Sequence, residues 1–202
     1  MDNTALFKLG YGLYVLTAHA DGKDNGCIIN TVMQITSTVP LVGVISVNKK
    51  NHTHDMIIKS RQCNVSVLTV DAPFGVFERF GFQSGKTVDK FVDCVDVARG
   101  ENGILYLTKN TNAYLSFESM DAIDFGTHTL FKGNITGGEV LGKADSVSYA
   151  YYQQTIKPKP QPIQKAGHRC NFCGYVYEGE VLPEDFICPL CKHGTSDFVR
   201  AS

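Results

Sequence analysis

Leu41-Val42-Gly43-Val44-Ile45-Ser46-Val47-Asn48, followed at once by Lys49-Lys50-Asn51-His52-Thr53-His54-Asp55-Met56-Ile57-Ile58, is the stretch on which the architecture turns. Its first eight residues are a short run of β-branched and other apolar side chains ending in a turn former, which predicts a strand over 41–48. A helix follows, because the Thr53 hydroxyl can cap open N–H groups ahead of Asp55-Met56-Ile57-Ile58. Between them Asn48-Lys49-Lys50-Asn51 is polar and cationic; by itself it reads as well as a solvated turn as a binding loop.

Working outward, residues 12–18, 27–36, 64–70, 113–120 and 126–136 are runs of the same kind, rich in Val, Ile, Leu, Tyr and Thr. Turn residues such as Asp21-Gly22 and Asn25-Gly26 separate them. Six strands with no internal repeat suggest a barrel. A second helix is predicted after Pro73, running to about Phe80. Residues 1–152 thus read as one mainly β domain with a few helices. Gly10-Tyr11-Gly12 is followed by Leu13-Tyr14-Val15 without a third glycine, so neither a phosphate loop nor a nicotinamide-binding βαβ unit is expected.

The chain has 202 residues, 43% of them hydrophobic, enough for one packed domain and a small appendage. A formal charge of −1 argues neither for a polyanionic partner nor for an acidic membrane surface. Met1-Asp2-Asn3-Thr4 has neither the basic nor the apolar part of a signal peptide, and the longest apolar run, near 39–47, is too short to span a bilayer. A cytoplasmic protein is expected. Cys27, Cys63 and Cys94 are scattered among apolar segments and read as reduced structural thiols.

Composition shifts at Gln153. Residues 153–167 hold three prolines and three lysines with no acid, predicting a semi-rigid tether that would reach roughly 45 Å when extended at about 3.1 Å per residue. Beyond it Cys170-Asn171-Phe172-Cys173 and Cys188-Pro189-Leu190-Cys191 are separated by fourteen residues and hold four of the seven cysteines. Two Cys-x-x-Cys turns can wrap one tetrahedral ion with a sulfur at about 2.3 Å in each direction, which suits zinc or iron. By spacing alone, zinc is the commoner occupant. Residues 168–202 carry Arg169, Lys192 and Arg200 against Glu178, Glu180, Glu184, Asp185 and Asp197, a net charge of −2 that does not suit nucleic acid.

The residues beside the sulfurs shift the balance toward iron. Cys173-Gly174-Tyr175-Val176-Tyr177-Glu178-Gly179 and Pro183-Glu184-Asp185-Phe186-Ile187-Cys188-Pro189 resemble the rubredoxin family over about residues 168–200. The resemblance implies one redox iron on Cys170, Cys173, Cys188 and Cys191. It also implies aromatic packing by Tyr175, Tyr177, Phe186 and Phe198, with Cys173 and Cys191 as the electron exits. The segment between the knuckles is shorter than in free-standing rubredoxins, and Lys192 stands where glycine is usual.

The larger part resembles the flavin reductase-like split-barrel family. The resemblance rests on Tyr11-Gly12-Leu13-Tyr14, Asn30-Thr31-Val32-Met33-Gln34-Ile35-Thr36-Ser37, Val47-Asn48-Lys49-Lys50-Asn51-His52-Thr53-His54, Arg79-Phe80-Gly81-Phe82 and Gly126-Thr127-His128-Thr129-Leu130-Phe131-Lys132-Gly133. It implies a Greek-key split β-barrel binding FMN, usually near a homodimer interface. Residues 30–36, including Asn30, Thr31, Gln34 and Thr36, would border the isoalloxazine, and Ser46 would face the ring. Asn48, Lys49, Asn51 and Thr53 would cradle the phosphate at a helix N-terminus, which favours an anion; Arg79 and Phe82 would complete the site. His128 would position the nicotinamide of NADH or NADPH.

The order of the two parts is similar to that of high-molecular-weight rubredoxins of anaerobic bacteria. That similarity implies NAD(P)H-driven electron flow through FMN and one iron to a protein acceptor, a flavodiiron oxygen or nitric oxide reductase. Two alternatives stand beside it: a flavin or ferric reductase with a structural zinc ribbon, and a non-enzymatic zinc-ribbon binding protein.

Overall fold

The Asp21-Gly22 turn closes the first hairpin of the protein. Both residues take left-handed conformations, with φ of 52° and 72°, as a tight antiparallel connection requires. In this computed structural model the described residues are 5, 8–158, 167–171, 174–189 and 193–201. The chain divides into two compact units, Met1–Ile156 and Lys157–Ser202.

The first unit is built on a seven-stranded antiparallel sheet. In chain order its strands are β1 (Tyr14–Ala20), β2 (Lys23–Ile29), β3 (Val32–Gln34), β4 (Val42–Asn48), β5 (Cys63–Leu68), β8 (Thr111–Asp124) and β9 (His128–Val140). Across the sheet they run β2-β1-β5-β8-β9-β4-β3. The predicted run 27–36 is broken where Asn30 and Thr31 leave the ladder. Asn25 and Gly26 are not a turn but lie buried inside β2. A Cβ on Gly26 would meet Phe80 Cδ1 at 3.2 Å, so glycine here lets the second helix approach the strand.

Two helices cover the sheet. α1 (His52–Ser60) sends Met56 and Ile57 into a core with Leu16, Ile45, Val47, Val65, Phe117 and Phe131. α2 (Phe74–Gly81) starts after Pro73 as predicted and packs Phe77 and Phe80 against Leu13, Val15, Leu68 and Val147. Thr53 does not cap α1. Asn51 occupies the cap position without a side-chain bond, while Thr53, fully buried, accepts from Asn25 Nδ2 at 3.2 Å. A short hairpin of β6 (Val97–Arg99) and β7 (Leu105–Leu107), unpredicted, is tied to the sheet where Asn64 Nδ2 donates to the Ile104 carbonyl at 2.8 Å.

The first unit also runs past Gln153. A turn of α-helix, α3 (Tyr149–Tyr151), capped by Ser148, leads into a π-helical turn over Tyr152–Ile156. Tyr152 packs on Phe77 at 4.5 Å, and Ile156 joins the same core, while Gln153, Gln154 and Thr155 face solvent. Polar residues between two apolar anchors gave the appearance of a tether. Of the remainder, residues 159–166 lie outside the described residues, and Gly167 already belongs to a strand.

The second unit holds a three-stranded antiparallel sheet ordered β11 (Val176–Tyr177), β10 (Gly167–Cys170) and β12 (Phe198–Ala201). Phe186 sits among Tyr175, Tyr177 and Phe198, with centroids 6.3, 4.8 and 5.4 Å away, in the expected aromatic cluster. Among the described residues no helix is long and apolar enough to cross a membrane.

Candidate functional site

The turn between β4 and α1 is shaped by Asn48. Its Oδ1 accepts the Lys50 N–H at 2.9 Å and its carbonyl accepts the Asn51 N–H at 3.0 Å, which turns the chain sharply into the helix. Register then brings in the tip of the β8–β9 hairpin. His128 lies opposite Asn48, and the Lys49 N–H donates to the Thr127 carbonyl at 3.0 Å. His128 Nδ1 is 2.9 Å from Thr127 Oγ1. Lys49 Nζ lies 2.8 Å from Asp124 Oδ2. The hydrogen bond from Lys49, with a second from the Gly126 N–H, holds the Asp124 carboxyl below the usual carboxylate range. Asn48, Lys49, Asn51 and His128 are therefore gathered at one end of β4, although 75 residues separate Lys49 from Asp124.

The residues expected at the ring border fall into two groups. The Ser46 N–H donates to the Thr31 carbonyl at 3.2 Å, and Thr31 Oγ1 donates to Asn30 Oδ1 at 3.2 Å, so Asn30, Thr31 and Ser46 are neighbours, all half-buried. Gln34 and Thr36 instead secure the β3–β4 loop. Gln34 donates to the Thr36 carbonyl at 2.8 Å, and Thr36 Oγ1 donates to the Pro40 carbonyl and accepts the Val42 N–H. Arg79 and Phe82 are half-buried at the end of α2, where Phe82 packs on Phe74. The loop beyond them reaches α1, placing Lys86 Nζ 3.7 Å from Asp55 Oδ2.

Two histidines beside Thr53 carry features that sequence patterning did not single out. His54 is buried, with Nε2 2.8 Å from Thr129 Oγ1 and Nδ1 3.0 Å from Asp55 Oδ1. His52 opens α1, and its Nδ1 is the buried side-chain polar atom that lacks a hydrogen-bond partner among the described residues. The sequence signal was proximity to Thr53; burial of one ring nitrogen has no sequence signature. An uncapped helix start, a lysine and two Asn side chains form a donor set that fits a phosphate-bearing ligand.

The metal knuckles are only partly within the described residues: Cys173, Cys191 and Lys192 lie outside them. Cys170 and Cys188 are buried, 1% and 0% exposed. The Cys170 N–H donates to the Tyr175 carbonyl at 2.8 Å, and the Cys188 N–H donates to the His193 carbonyl at 2.8 Å, five residues ahead in both cases. Gly174 closes the first loop with φ of 81°, donating to the Cys170 carbonyl at 2.9 Å. Two buried cysteines, each with its N–H bonded to a carbonyl five residues ahead, fit a four-thiolate centre. The other thiols differ in kind. Burial pushes the Cys27 thiol up to about 11 and the Cys63 thiol higher still, which leaves both protonated and structural.

Comparison with known proteins agrees with both units. The flavin reductase like domain family matches residues 6–159, and the rubrerythrin, rubredoxin-like domain matches residues 168–199. The chain is 36% identical to the high molecular weight rubredoxin of Moorella thermoacetica, covering 98% of this chain and 99% of that protein. It is 37% identical to the NAD(P)H ferric-chelate reductase of Archaeoglobus fulgidus, over 79% of this chain and 93% of the relative. In structure it resembles an FMN-binding protein from Thermus thermophilus, with a TM-score of 0.60 and 21% identity over 70% of this chain and 83% of the other. The chain belongs to the flavin reductase-like family, in the high molecular weight rubredoxin arrangement that joins such a split barrel to a C-terminal rubredoxin-like domain.

Proposed function

We propose that this chain is an NAD(P)H-dependent electron-transfer flavoprotein, moving electrons from NAD(P)H through FMN to a rubredoxin iron and on to a protein acceptor. The observation that carries the reading is the joining of a reductase-type barrel to two Cys-x-x-Cys knuckles in one chain, with full-length similarity to a high molecular weight rubredoxin. When bound, FMN accepts an electron pair from NAD(P)H and releases electrons singly, which matches a four-thiolate iron that takes one at a time.

The chain's own residues bind and orient. Asn48 fixes the turn that presents the first N–H groups of α1, and Lys49 supplies the cation for the phosphate. Asn30, Thr31 and Ser46 offer polar groups to the flavin ring. His128, steadied by Thr127, positions the nicotinamide. The protein works in the cytoplasm as a homodimer, and its acceptor is a flavodiiron oxygen or nitric oxide reductase, in keeping with the two-part family to which it belongs.

A second reading, a ferric or flavin reductase carrying a structural zinc ribbon, is favoured by the likeness to the Archaeoglobus fulgidus ferric-chelate reductase, which matches the barrel. Metal and flavin content of the purified protein, followed by anaerobic titration with NADH while flavin and iron absorption are recorded together, separates the two. Equal amounts of iron and FMN, with both bands bleaching, are expected; zinc with FMN favours the second reading. Cys173→Ser should abolish NADH-driven reduction of a protein acceptor. If it does not, the iron is off the electron path. Should Lys49→Ala bind FMN at full affinity, the cradle lies elsewhere.

A further inference from the structure

We propose that His54 is a positioning residue for the reaction with NAD(P)H: through Thr129 it fixes the strand that carries His128 against the first turn of α1. The inference rests on the proposed function, in which the start of α1 receives the flavin phosphate and His128 the nicotinamide. Main-chain pairing of β4 with β9 stops at Asn48 and His128, and the Lys49 N–H adds a bond to the Thr127 carbonyl at 3.0 Å. Beyond that point the start of α1 is set on the sheet by side chains. Asn51 makes no side-chain cap, and Thr53 engages Asn25 of β2. His54 is the residue of this turn whose side chain bonds to β9.

The ring is buried and packs on Phe131, with centroids 5.5 Å apart. Its Nε2 lies 2.8 Å from Thr129 Oγ1 and its Nδ1 3.0 Å from Asp55 Oδ1. The bond from His54 holds the Asp55 carboxyl below the usual carboxylate range. An ionised carboxylate only accepts, so Nδ1 carries a proton and, in the neutral ring, Nε2 accepts the Thr129 hydroxyl. Asp55 is met from the loop after α2, with Lys86 Nζ 3.7 Å away. Side chains alternate along a strand, so buried Thr129 points inward to His54 while half-buried His128, its neighbour, faces the other side. A chain of contacts from loop to helix to strand thus ends one residue from His128. A misplacement of about 1 Å between reacting groups can cost about a hundredfold in rate, which gives a bond at this place its weight.

Thr129→Val removes the hydroxyl and keeps the shape, Thr129→Ser keeps the hydroxyl, and both leave His54 and His128 in place. In the full-length protein, FMN affinity is read by flavin fluorescence and the rate of flavin reduction by anaerobic stopped flow with NADH and with NADPH. Thr129→Val should bind FMN within about twofold of wild type, yet be reduced about ten- to a hundredfold more slowly at saturating nicotinamide, with Thr129→Ser close to wild type. In the flavin-free protein, imidazole nitrogen NMR should show the His54 proton on Nδ1, and amide exchange at Lys49 and in the first turn of α1 should be faster in Thr129→Val. Equal reduction rates in Thr129→Val and wild type overturn the role of His54 and leave the proposed function standing. A Thr129→Val that loses FMN affinity as much as rate, or a Thr129→Ser as slow as Thr129→Val, makes the contact structural and overturns it as well. Should Thr129→Val not fold, the spectrum of wild type decides, since a ring protonated on Nε2 alone breaks the chain of bonds. A wild type that neither nicotinamide reduces overturns the proposed function itself, and the inference with it.

Discussion

Lys49 and Asp124 form a cross-link between the β4–α1 turn and the end of β8, with Nζ and Oδ2 2.8 Å apart. Both side chains are accessible, so the pair contributes little to folding. Its effect falls on the cradle: the lysine proposed to meet phosphate already holds a carboxylate. Asp124→Asn is expected to raise FMN affinity by up to about fivefold at low ionic strength, and the gain should shrink in salt. Fluorescence titration at two salt concentrations measures this. A fall in affinity would mean that Asp124 holds Lys49 in its working position.

Asp24 joins the first hairpin to β6. It accepts from Arg99 at 2.8 and 3.1 Å and lies 2.9 Å from His19 Nδ1. Burial would raise its carboxyl, but the bonds from Arg99 and His19 outweigh burial and hold it below the usual range. A lowered folded value means stability that is present above the ordinary carboxylate pKa and is lost as pH falls through the folded one. Asp24→Asn should therefore cost about 1 kcal/mol at pH 7, a low figure because Arg99 is half exposed and water screens the pair. The gap between the two proteins should begin to close below about pH 4. Urea unfolding across pH 2–7 checks the sign.

Gly43 is the second residue of β4, inside a strand where glycine is ordinarily a weakness. A Cβ there would stand 2.7 Å from Phe117 Cε1, and Phe117 is fully buried. Gly43→Ala should destabilise the first unit by about 2 kcal/mol through overpacking, despite alanine's better strand preference. Thermal unfolding followed by far-ultraviolet circular dichroism should show the loss. A change under about 0.5 kcal/mol would mean that Phe117 has room to turn.

Cys188→Ser removes one proposed thiolate and leaves the first unit's cores untouched, since both are formed within Met1–Ile156. Metal content should fall to background while FMN affinity stays within experimental error of wild type. Chelation of the metal from wild type should disorder the same unit, seen in the near-ultraviolet signal of Tyr175, Tyr177 and Phe186. Retention of metal by the serine variant would remove Cys188 from the ligand set.

The strands were legible in the sequence because each alternates or clusters apolar residues over a distance that composition alone reveals. β4 and β5 fall close to the predicted runs. β6 and β7 are three residues each and exist because Asn64 and Thr17 receive them, a relation 40 and 88 residues long in sequence. The cradle's chemistry was legible in Asn48, Lys49 and Asn51. The part of Thr53 was misread because capping propensity is local, whereas Asn25, which engages its hydroxyl, comes from another strand. His128 acquires its place only through the β4–β9 register, and the orphaned nitrogen of His52 only through packing.

The paired closures at Cys170 and Cys188 have one more consequence. Each cysteine N–H is taken up by a carbonyl five residues ahead, from Tyr175 and from His193, and the Tyr175 carbonyl belongs to the chain between the knuckles. That intervening chain also forms β11 against β10 and brings Phe186 between Tyr177 and Phe198. A still shorter connection would have to give up the backbone partner of Cys170, the β11 pairing or the Phe186 cluster, so those three duties set its lower limit.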